Sequence, residues 1–378
     1  MGEIIYFDNS STTRPSKKAV EYINNALINN WGNPSSLHTM GIEAEQEINL
    51  TRKRISKLIN CSDDEIYFTA SGTEANNIAI KGSVLSRQKR GKRIITTAIE
   101  HPSVLENIEY FESQGFEVIK LKPNSFGIIS EEDIKNSINI DTILVSIMLV
   151  NNEVGSIEPV KAAAEQIKKI GCPALLHCDA VQAFGKMPID VKKLGIDLLS
   201  ASGHKIHASK GVGFLYKKKG VNISVTVHGG GQEKGLRSGT ESVPLISGLR
   251  GAVEDLGNIN ENLTRQKDLW LYAKNQILST GLAEINSPDD ALPYILNISV
   301  NGYRSETLLH FLNSKNIFVS SGSACAKGHK SHVMKALGLS DNRIDSALRL
   351  SFSKENTKNE IDIFCSELIS ACKILRKA

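Results

Sequence analysis

None of the six cysteines (Cys61, Cys172, Cys178, Cys325, Cys365 and Cys372) stands in a C-x-x-C spacing, which argues against a structural zinc site or a dithiol redox pair. A chain of 378 residues builds its core without disulfides, so free thiols are the default. Long apolar runs are missing too. The longest, such as 143–150 with Ser146 inside it, falls far short of the ~20 residues of a membrane helix and reads as a buried strand. The opening Met1-Gly2-Glu3-Ile4-Ile5-Tyr6-Phe7-Asp8 lacks the basic and apolar stretches of a secretory signal, and Tyr6 breaks the myristoylation pattern, so a cytoplasmic location is expected. With 45 Lys and Arg against 41 Asp and Glu, the net charge is only +4 and dispersed, too little for a nucleic-acid footprint. Neither nucleic acid nor membrane is an expected partner.

At this length a single hydrophobic core stops growing, and two domains are expected. Between about 65 and 218, β-rich runs alternate with helical stretches, the pattern of an α/β fold with a mostly parallel sheet. Strands are expected at 65–69, 93–98, 142–150, 174–178, 197–201 and 213–217. After a glycine-rich loop at 228–240, helices near 244–256 and 261–279 lead to a smaller α+β region. It reads as strand 294–300, helix 306–315, strand 317–320, helix 331–337, strand 347–351 and a final helix from about 357. The expected division is an N-terminal arm over 1–15 near the active site, a large domain over 16–257 and a small C-terminal domain over 258–378. Open sheets of this kind bind ligands beyond the carboxyl ends of their strands, so chemistry is sought there.

Ala70-Ser71-Gly72-Thr73-Glu74 comes after the first strand and opens a helix. Gly72 permits close backbone approach, Thr73 offers a hydroxyl, and the first helical amides suit a phosphate; an ordinary capped turn is the commonplace account. Glu100-His101-Pro102-Ser103 places a ring where it would stack on a cofactor, although a lone histidine is as often a structural hydrogen-bonding group. Asn151-Asn152-Glu153 breaks a strand at the same edge, as turn chemistry alone would. Asp179, directly after a buried strand and three residues before Gln182, needs a cationic partner or a capping role. The protonated nitrogen of a pyridine ring is such a partner.

Ser202-Gly203-His204-Lys205 carries the most specific signal. An amine held in that turn beside the Ser202 hydroxyl and His204 suits a lysine that binds a cofactor aldehyde, with Lys210 as the rival. His228-Gly229-Gly230-Gly231 through Arg237-Ser238-Gly239-Thr240 would cradle phosphate oxygens or serve as a plain surface connection. In Ser320-Ser321-Gly322-Ser323-Ala324-Cys325 a thiol stands among small residues near Lys327 and His329, where it would ionise and attack, whereas the other five cysteines sit in packing surroundings. Arg349, among apolar neighbours, calls for a carboxylate.

Taken in order, these segments resemble the cysteine desulfurase family, in the class V aminotransferase group of fold-type I pyridoxal-phosphate enzymes. The resemblance runs from Tyr6-Phe7-Asp8-Asn9 through Asn33-Pro34-Ser35-Ser36 and the motifs above to Cys325. It implies that Lys205 holds pyridoxal 5'-phosphate, His101 stacks on its ring and moves a proton, Asp179 pairs with the ring nitrogen and Gln182 meets the ring hydroxyl. Gly72, Thr73, Ser202 and His204 would bind the phosphate, and Thr240 would reach the phosphate of a neighbouring subunit in a homodimer. Asn152, beside the cofactor, and Arg349 would bind the carboxylate of L-cysteine. Cys325 would take the sulfur as a persulfide, leave L-alanine, and pass the sulfur to an acceptor protein for iron–sulfur cluster assembly or tRNA thiolation.

Two features depart from the family pattern: Ser10-Ser11 where a small apolar residue is frequent, and a shorter, more basic stretch after Cys325. Transamination, selenocysteine lyase or kynureninase chemistry would use the same lysine, aspartate and phosphate site without needing the thiol. A non-catalytic metal scaffold built from His177, Cys178, Cys325, His329 and His332 has poor spacing, since neighbours on a strand point to opposite faces.

Overall fold

The computed structural model describes residues 4–321 and 330–377; Cys325, Lys327 and His329 lie outside them. A seven-stranded sheet runs in the order Ile66–Thr69, Gly213–Lys217, Leu198–Ser202, Leu175–Asp179, Thr142–Ser146, Arg93–Thr97, Glu117–Leu121. Five neighbours from Leu198–Ser202 to Glu117–Leu121 pair in parallel, and only Gly213–Lys217 runs against both of its partners. The central strands read Thr-Ile-Leu-Val-Ser, Leu-Leu-His-Cys-Asp and Leu-Leu-Ser-Ala-Ser and are buried on both faces, as helix-covered parallel strands must be. Their one ring, His177, is bonded to the hydroxyls of Ser146 (2.8 Å) and Ser200 (3.0 Å) on the two flanking strands. Burial holds its pKa down at about 4, so this ring is a neutral cross-strand tie.

The α/β class is as expected, and the boundaries shift in an informative way. Leu175–Asp179 and Leu198–Ser202 each sit one residue later than the sequence suggests, so Asp179 and Ser202 are the last residues of their strands. The strand expected over 142–150 ends at Ser146, although Ile147 and Leu149 still donate to the carbonyls of His177 and Asp179. Three strands went unrecognised: Ile5–Tyr6, Glu117–Leu121 and Ala283–Ile285. The first and last are two and three residues long, and the second is a half-exposed edge with no clean apolar alternation.

A second core gathers around an antiparallel sheet of Ala283–Ile285, Ile295–Val300 and Ala347–Ser351, covered by Ile259–Ser279, Ser305–Ser314 and Lys358–Ile374. The start of the chain belongs to it. Ile5–Tyr6 pairs in parallel with Ile317–Phe318, and Phe7, fully buried, meets Phe352 and Phe364 edge-on at 5.5 and 6.2 Å. Just beyond this anchor, residues 8–13 cross to the first core, where Thr13 bonds the His204 carbonyl. The N-terminal segment therefore ties both cores at the sheet edge where the candidate residues lie.

The glycine-rich loop is tied by a buried ion pair. Arg52 of helix Thr39–Ile59 grips Glu233 through two bonds of 2.9 and 2.8 Å and donates to the Ile66 carbonyl at 2.6 Å, while Glu233 also accepts from the Phe68 amide at 2.9 Å. Removing one partner of such a pair strands a buried charge at a cost of roughly 3–5 kcal/mol. Glu233→Ala is therefore expected to lower the urea midpoint strongly, and Arg52→Met in the Glu233→Ala background to recover part of the loss. Urea titrations of the parent and the two variants measure both effects; a Glu233→Ala variant as stable as the parent would show the pair to be incidental.

Candidate active site

Each strand of the parallel set ends at the same rim, and residues at or beyond the ends of four of them, with residues from the N-terminal segment and the second core, enclose a cavity of about 510 Å³. Strand Leu198–Ser202 runs into a tight turn, Gly203–Lys205, that carries the Lys205 amine into this cavity. There its Nζ donates to the carbonyls of Ser10 (2.6 Å) and Ser11 (2.8 Å) from the N-terminal segment. The rival Lys210 is exposed on the surface.

Asp179 faces the same space. Its Oδ1 accepts from the Val181 amide at 2.9 Å and its Oδ2 from Asn76 at 2.8 Å. No ion pair to Asp179 occurs among the described residues, so a buried carboxylate is fixed on the wall with dipoles and no countercharge beside it. Asn76 also donates to Ser103 Oγ at 2.8 Å, and Ser103 Oγ lies 2.8 Å from His101 Nδ1. The Ser103 amide donates to that same Nδ1, so Nδ1 is the acceptor and the neutral ring carries its proton on Nε2. Burial lowers the His101 pKa, Asp179 partly opposes this, and Lys205 and His332 add to the lowering.

The other end of the cavity is built for an anion. Helix Gly72–Arg87 starts there; Ser71 takes the Glu74 amide on its hydroxyl (3.1 Å) and the Ala75 amide on its carbonyl (3.1 Å), leaving those of Gly72 and Thr73 pointing outward. Glycine is required at two points. A Cβ on Gly72 would come within 2.7 Å of Val181, and one on Gly213 within 2.7 Å of the Ala201 carbonyl and 2.8 Å of Ser71, so the turn could not lie against the strands. Ser202 and His204 complete this end, with His204 held neutral, its pKa lowered to about 4 by burial and by Lys205.

On the side of the second core, Arg349 of strand Ala347–Ser351 reaches in, almost fully buried. It donates to the Asn152 carbonyl (2.8 Å), Asp8 (2.9 Å) and Ser11 Oγ (2.7 Å). Asn152 lines the cavity, while its neighbour Asn151 does the turn chemistry, accepting from the amides of Glu153 and Val154. Gln182 lines the wall next to Ser10, to whose carbonyl it donates at 3.0 Å.

The structure thus brings Gly72, Thr73, His101, Asn152, Asp179, Gln182, Ser202, His204, Lys205 and Arg349 around one space. Thr240 does not join them; it is exposed on the glycine-rich loop. Cys325 falls outside the described residues. Sequence reasoning missed Asn76, Ser103, Asp8, the Ser10 and Ser11 carbonyls, and His332, which lines the cavity and bonds the Glu100 carbonyl at 2.9 Å. Asn76 had a readable signal, one helical turn beyond Thr73 on the same face; backbone carbonyls have none.

A lysine amine, an uncompensated carboxylate and a helix start on one cavity fit the aldehyde, ring nitrogen and phosphate of pyridoxal 5'-phosphate. Over residues 5–364 the chain matches the family model described as aminotransferase class-V. It is 42% identical over 364 residues to a cysteine desulfurase IscS of Methanosarcina thermophila, covering 95% of this chain and 89% of that protein. A cysteine desulfurase IscS of Clostridium botulinum is 41% identical over 371 residues, covering 96% and 92% of the two chains. Among solved structures, a NifS-like protein superposes with a TM-score of 0.93 at 37% identity, over 99% of this chain and 100% of that one. SspA in complex with cysteine gives 0.82 at 34% identity, over 92% and 98%.

The electrostatics of the rim are directly testable. With its pKa below the ordinary ~6.5, His101 is expected to stay neutral, protonated on Nε2, throughout the neutral range. Because Asp179 favours the charged ring, Asp179→Asn should lower the His101 pKa further. Nitrogen-15 NMR of labelled histidine, titrated through pH 5 to 8, reads both; an upward move in the variant contradicts the arrangement.

Proposed function

The chain belongs to the class-V aminotransferase family, where its relatives are cysteine desulfurases, and we propose that Lys205 and Cys325 together carry that activity here. The enzyme is a pyridoxal-phosphate-dependent cysteine desulfurase that acts on L-cysteine. The observation that carries the residue assignment is the Lys205 amine, aimed into a cavity whose walls hold Asp179 on one side and the free start of a helix on the other.

Lys205 would hold the cofactor by its aldehyde, with Asp179 at the ring nitrogen, His101 over the ring, Gln182 at the ring oxygen, and Gly72, Thr73, Ser202 and His204 at the phosphate. When bound, pyridoxal phosphate supplies an electron sink for the carbon beside the substrate amine. Arg349 and Asn152 orient the substrate carboxylate, and Asp8 holds the guanidinium in place at 2.9 Å. Lys205, once the substrate amine has displaced it from the aldehyde, would be the free amine that takes the Cα proton. The Cys325 thiolate bonds to the substrate sulfur as the carbon–sulfur bond breaks. The carbon keeps that electron pair and gains a proton, so cysteine and a thiol become alanine and a persulfide with no outside oxidant. His101, with its Nε2 proton, serves the departing sulfur.

Four of the other thiols support the choice of Cys325. Burial raises Cys61 to about 12 and Cys365 to about 11, and raises Cys178 and Cys372 as well, so these groups remain protonated at neutral pH. The persulfide would pass to an acceptor protein serving iron–sulfur assembly or tRNA thiolation, in the cytoplasm.

A homodimer fits two surface features. Thr240 is exposed and outside its own cavity, as a residue serving a neighbour's phosphate would be. Apolar Leu27, Ile28, Trp31 and Leu37 are also exposed close together in sequence, with Trp31 at 67% and Leu37 at 96%. Mixing Lys205→Ala subunits with Thr240→Val subunits is expected to restore one functional site per hybrid; activity no higher than in the separate variants would oppose sharing across subunits.

The central assignment rests on a single assay. Cys325→Ser should keep the yellow cofactor and bind cysteine, yet release alanine at least a hundredfold more slowly and form no persulfide. Lys205→Ala should lose the visible band altogether. Near-normal alanine release from Cys325→Ser would remove the thiol from the mechanism and favour another reaction of the family.

A further inference from the structure

Lys186 is a buried lysine with no assigned task. It lies beyond strand Leu175–Asp179 in a series of turns, is 6% exposed, and its Nζ donates to Gln182 Oε1 at 3.0 Å. No ion pair to Lys186 occurs among the described residues. The charged and titratable groups around it are Lys205 and Arg349, which repel its proton, His204 and His207, both held towards neutrality by burial, and Lys354, itself paired with Asp255. Its ammonium lies 5.9 Å from the centre of the Tyr294 ring, whose hydroxyl burial raises to about 12. A buried lysine is retained at the expense of stability, so one facing only cations, neutral rings and an amide needs an explanation.

The hydrogen bonds supply one. A protonated amine on this carbon stem offers only donors to its neighbour, so Gln182 turns its oxygen towards Lys186 and its NH₂ the other way. One amide hydrogen then goes to the Ser10 carbonyl at 3.0 Å, the group that also receives the Lys205 amine at 2.6 Å. The second is left for the cavity that Gln182 lines. We propose that Lys186 is a positioning residue that fixes Gln182 as a donor towards an anionic ring oxygen of the bound cofactor and supplies positive potential to that oxygen from behind. This rests on the reading of the cavity as a pyridoxal-phosphate site, where the ring oxygen is the anion nearest Gln182.

Burial first, then Lys205 and Arg349, lower the Lys186 pKa from 10.5 to about 7. Below pH 7 the amine is charged in folded and unfolded chains alike, and the full penalty of its burial is present. Between about 7 and 10.5 only the unfolded chain holds the proton, and the penalty is progressively relieved. Lys186→Met removes it at every pH.

The test uses full-length apoenzyme titrated with pyridoxal phosphate, with affinity and the pH midpoint of the visible band as readouts. The parent protein should bind and turn yellow; failure at that step would overturn the cofactor reading and this proposal with it. Lys186→Met apoenzyme should melt no lower than the parent at pH 7, its advantage shrinking as the pH rises towards 10.5. It should nevertheless bind the cofactor about tenfold more weakly, with the visible midpoint displaced upward, because a negative oxygen has lost its positive neighbour. Lys186→Gln, which keeps a donor and loses the charge, should recover part of the affinity and leave the midpoint displaced. Parent-like affinity and midpoint in Lys186→Met, or a lower apoenzyme melting temperature with unchanged cofactor binding, would reduce Lys186 to a packing residue and overturn the proposal.

Discussion

Buried positive charge governs this molecule. Burial first, then repulsion from Lys205 and Arg349, depresses the Lys186 pKa; Lys205 and Arg349 line the cavity, and Lys186 is bonded to Gln182 on its wall. Two nearby histidines are kept uncharged by the same burial, and the one aspartate at the ring end has no cationic partner among the described residues. Such a site stores electrostatic energy that an anionic ligand with one cationic face would release. A phosphate at the start of helix Gly72–Arg87, an oxyanion beside Gln182 and a protonated ring nitrogen beside Asp179 would meet that demand at three separate points. The same chemistry explains why the cavity is lined by strand ends: only the rim of a parallel sheet gathers so many side chains without breaking the core beneath.

The second requirement is rigidity between two cores. Arg349 comes from the smaller core and Lys205 from the larger, and the chain's first residues are what both lean on. Phe7 is locked among Phe352 and Phe364; a few residues later the Ser10 and Ser11 carbonyls hold Lys205, and Ser11 Oγ with Asp8 holds Arg349. A short arm therefore sets the separation between the amine and the guanidinium. The serines at 10 and 11, which depart from the family pattern, act here through a hydroxyl on Arg349 and through backbone carbonyls that any residue would offer.

Much of this is legible in the sequence. Strand–helix alternation points to a parallel sheet by periodicity alone, and a parallel sheet dictates where side chains with chemistry must appear; Asp179, Lys205 and His101 all stand at strand ends or in the turns just beyond them. The features that escape a sequence reading do so for physical reasons. Glu117–Leu121 sits at the sheet's edge and grades from exposed Glu117 to buried Leu121, so its burial pattern carries no period. Ile5–Tyr6 owes its extended form to a partner more than 300 residues away. Ser103 looks like an ordinary helix residue until Asn76 and His101 are folded against it. Lys186 reads as one more surface lysine, because burial is a property of packing and not of the residue.

The fixed hydrogen bonds around His101 separate its roles in a way that burial alone would not. A neutral imidazole free to turn would divide its proton between two nitrogens, and part of its population would face the ligand with the wrong one. Here the Ser103 amide, which can only donate, claims Nδ1 from two residues away and leaves Nε2 as the proton carrier. Ser103 Oγ accepts from Asn76, and Asn76 spends the same amide group on Asp179. One asparagine in the first turns of helix Gly72–Arg87 thus bonds the carboxylate that the Val181 amide also holds and reaches the ring through Ser103; the start of that helix would face the phosphate. The candidate anion site, ring-nitrogen partner and proton carrier are therefore linked through that one helix.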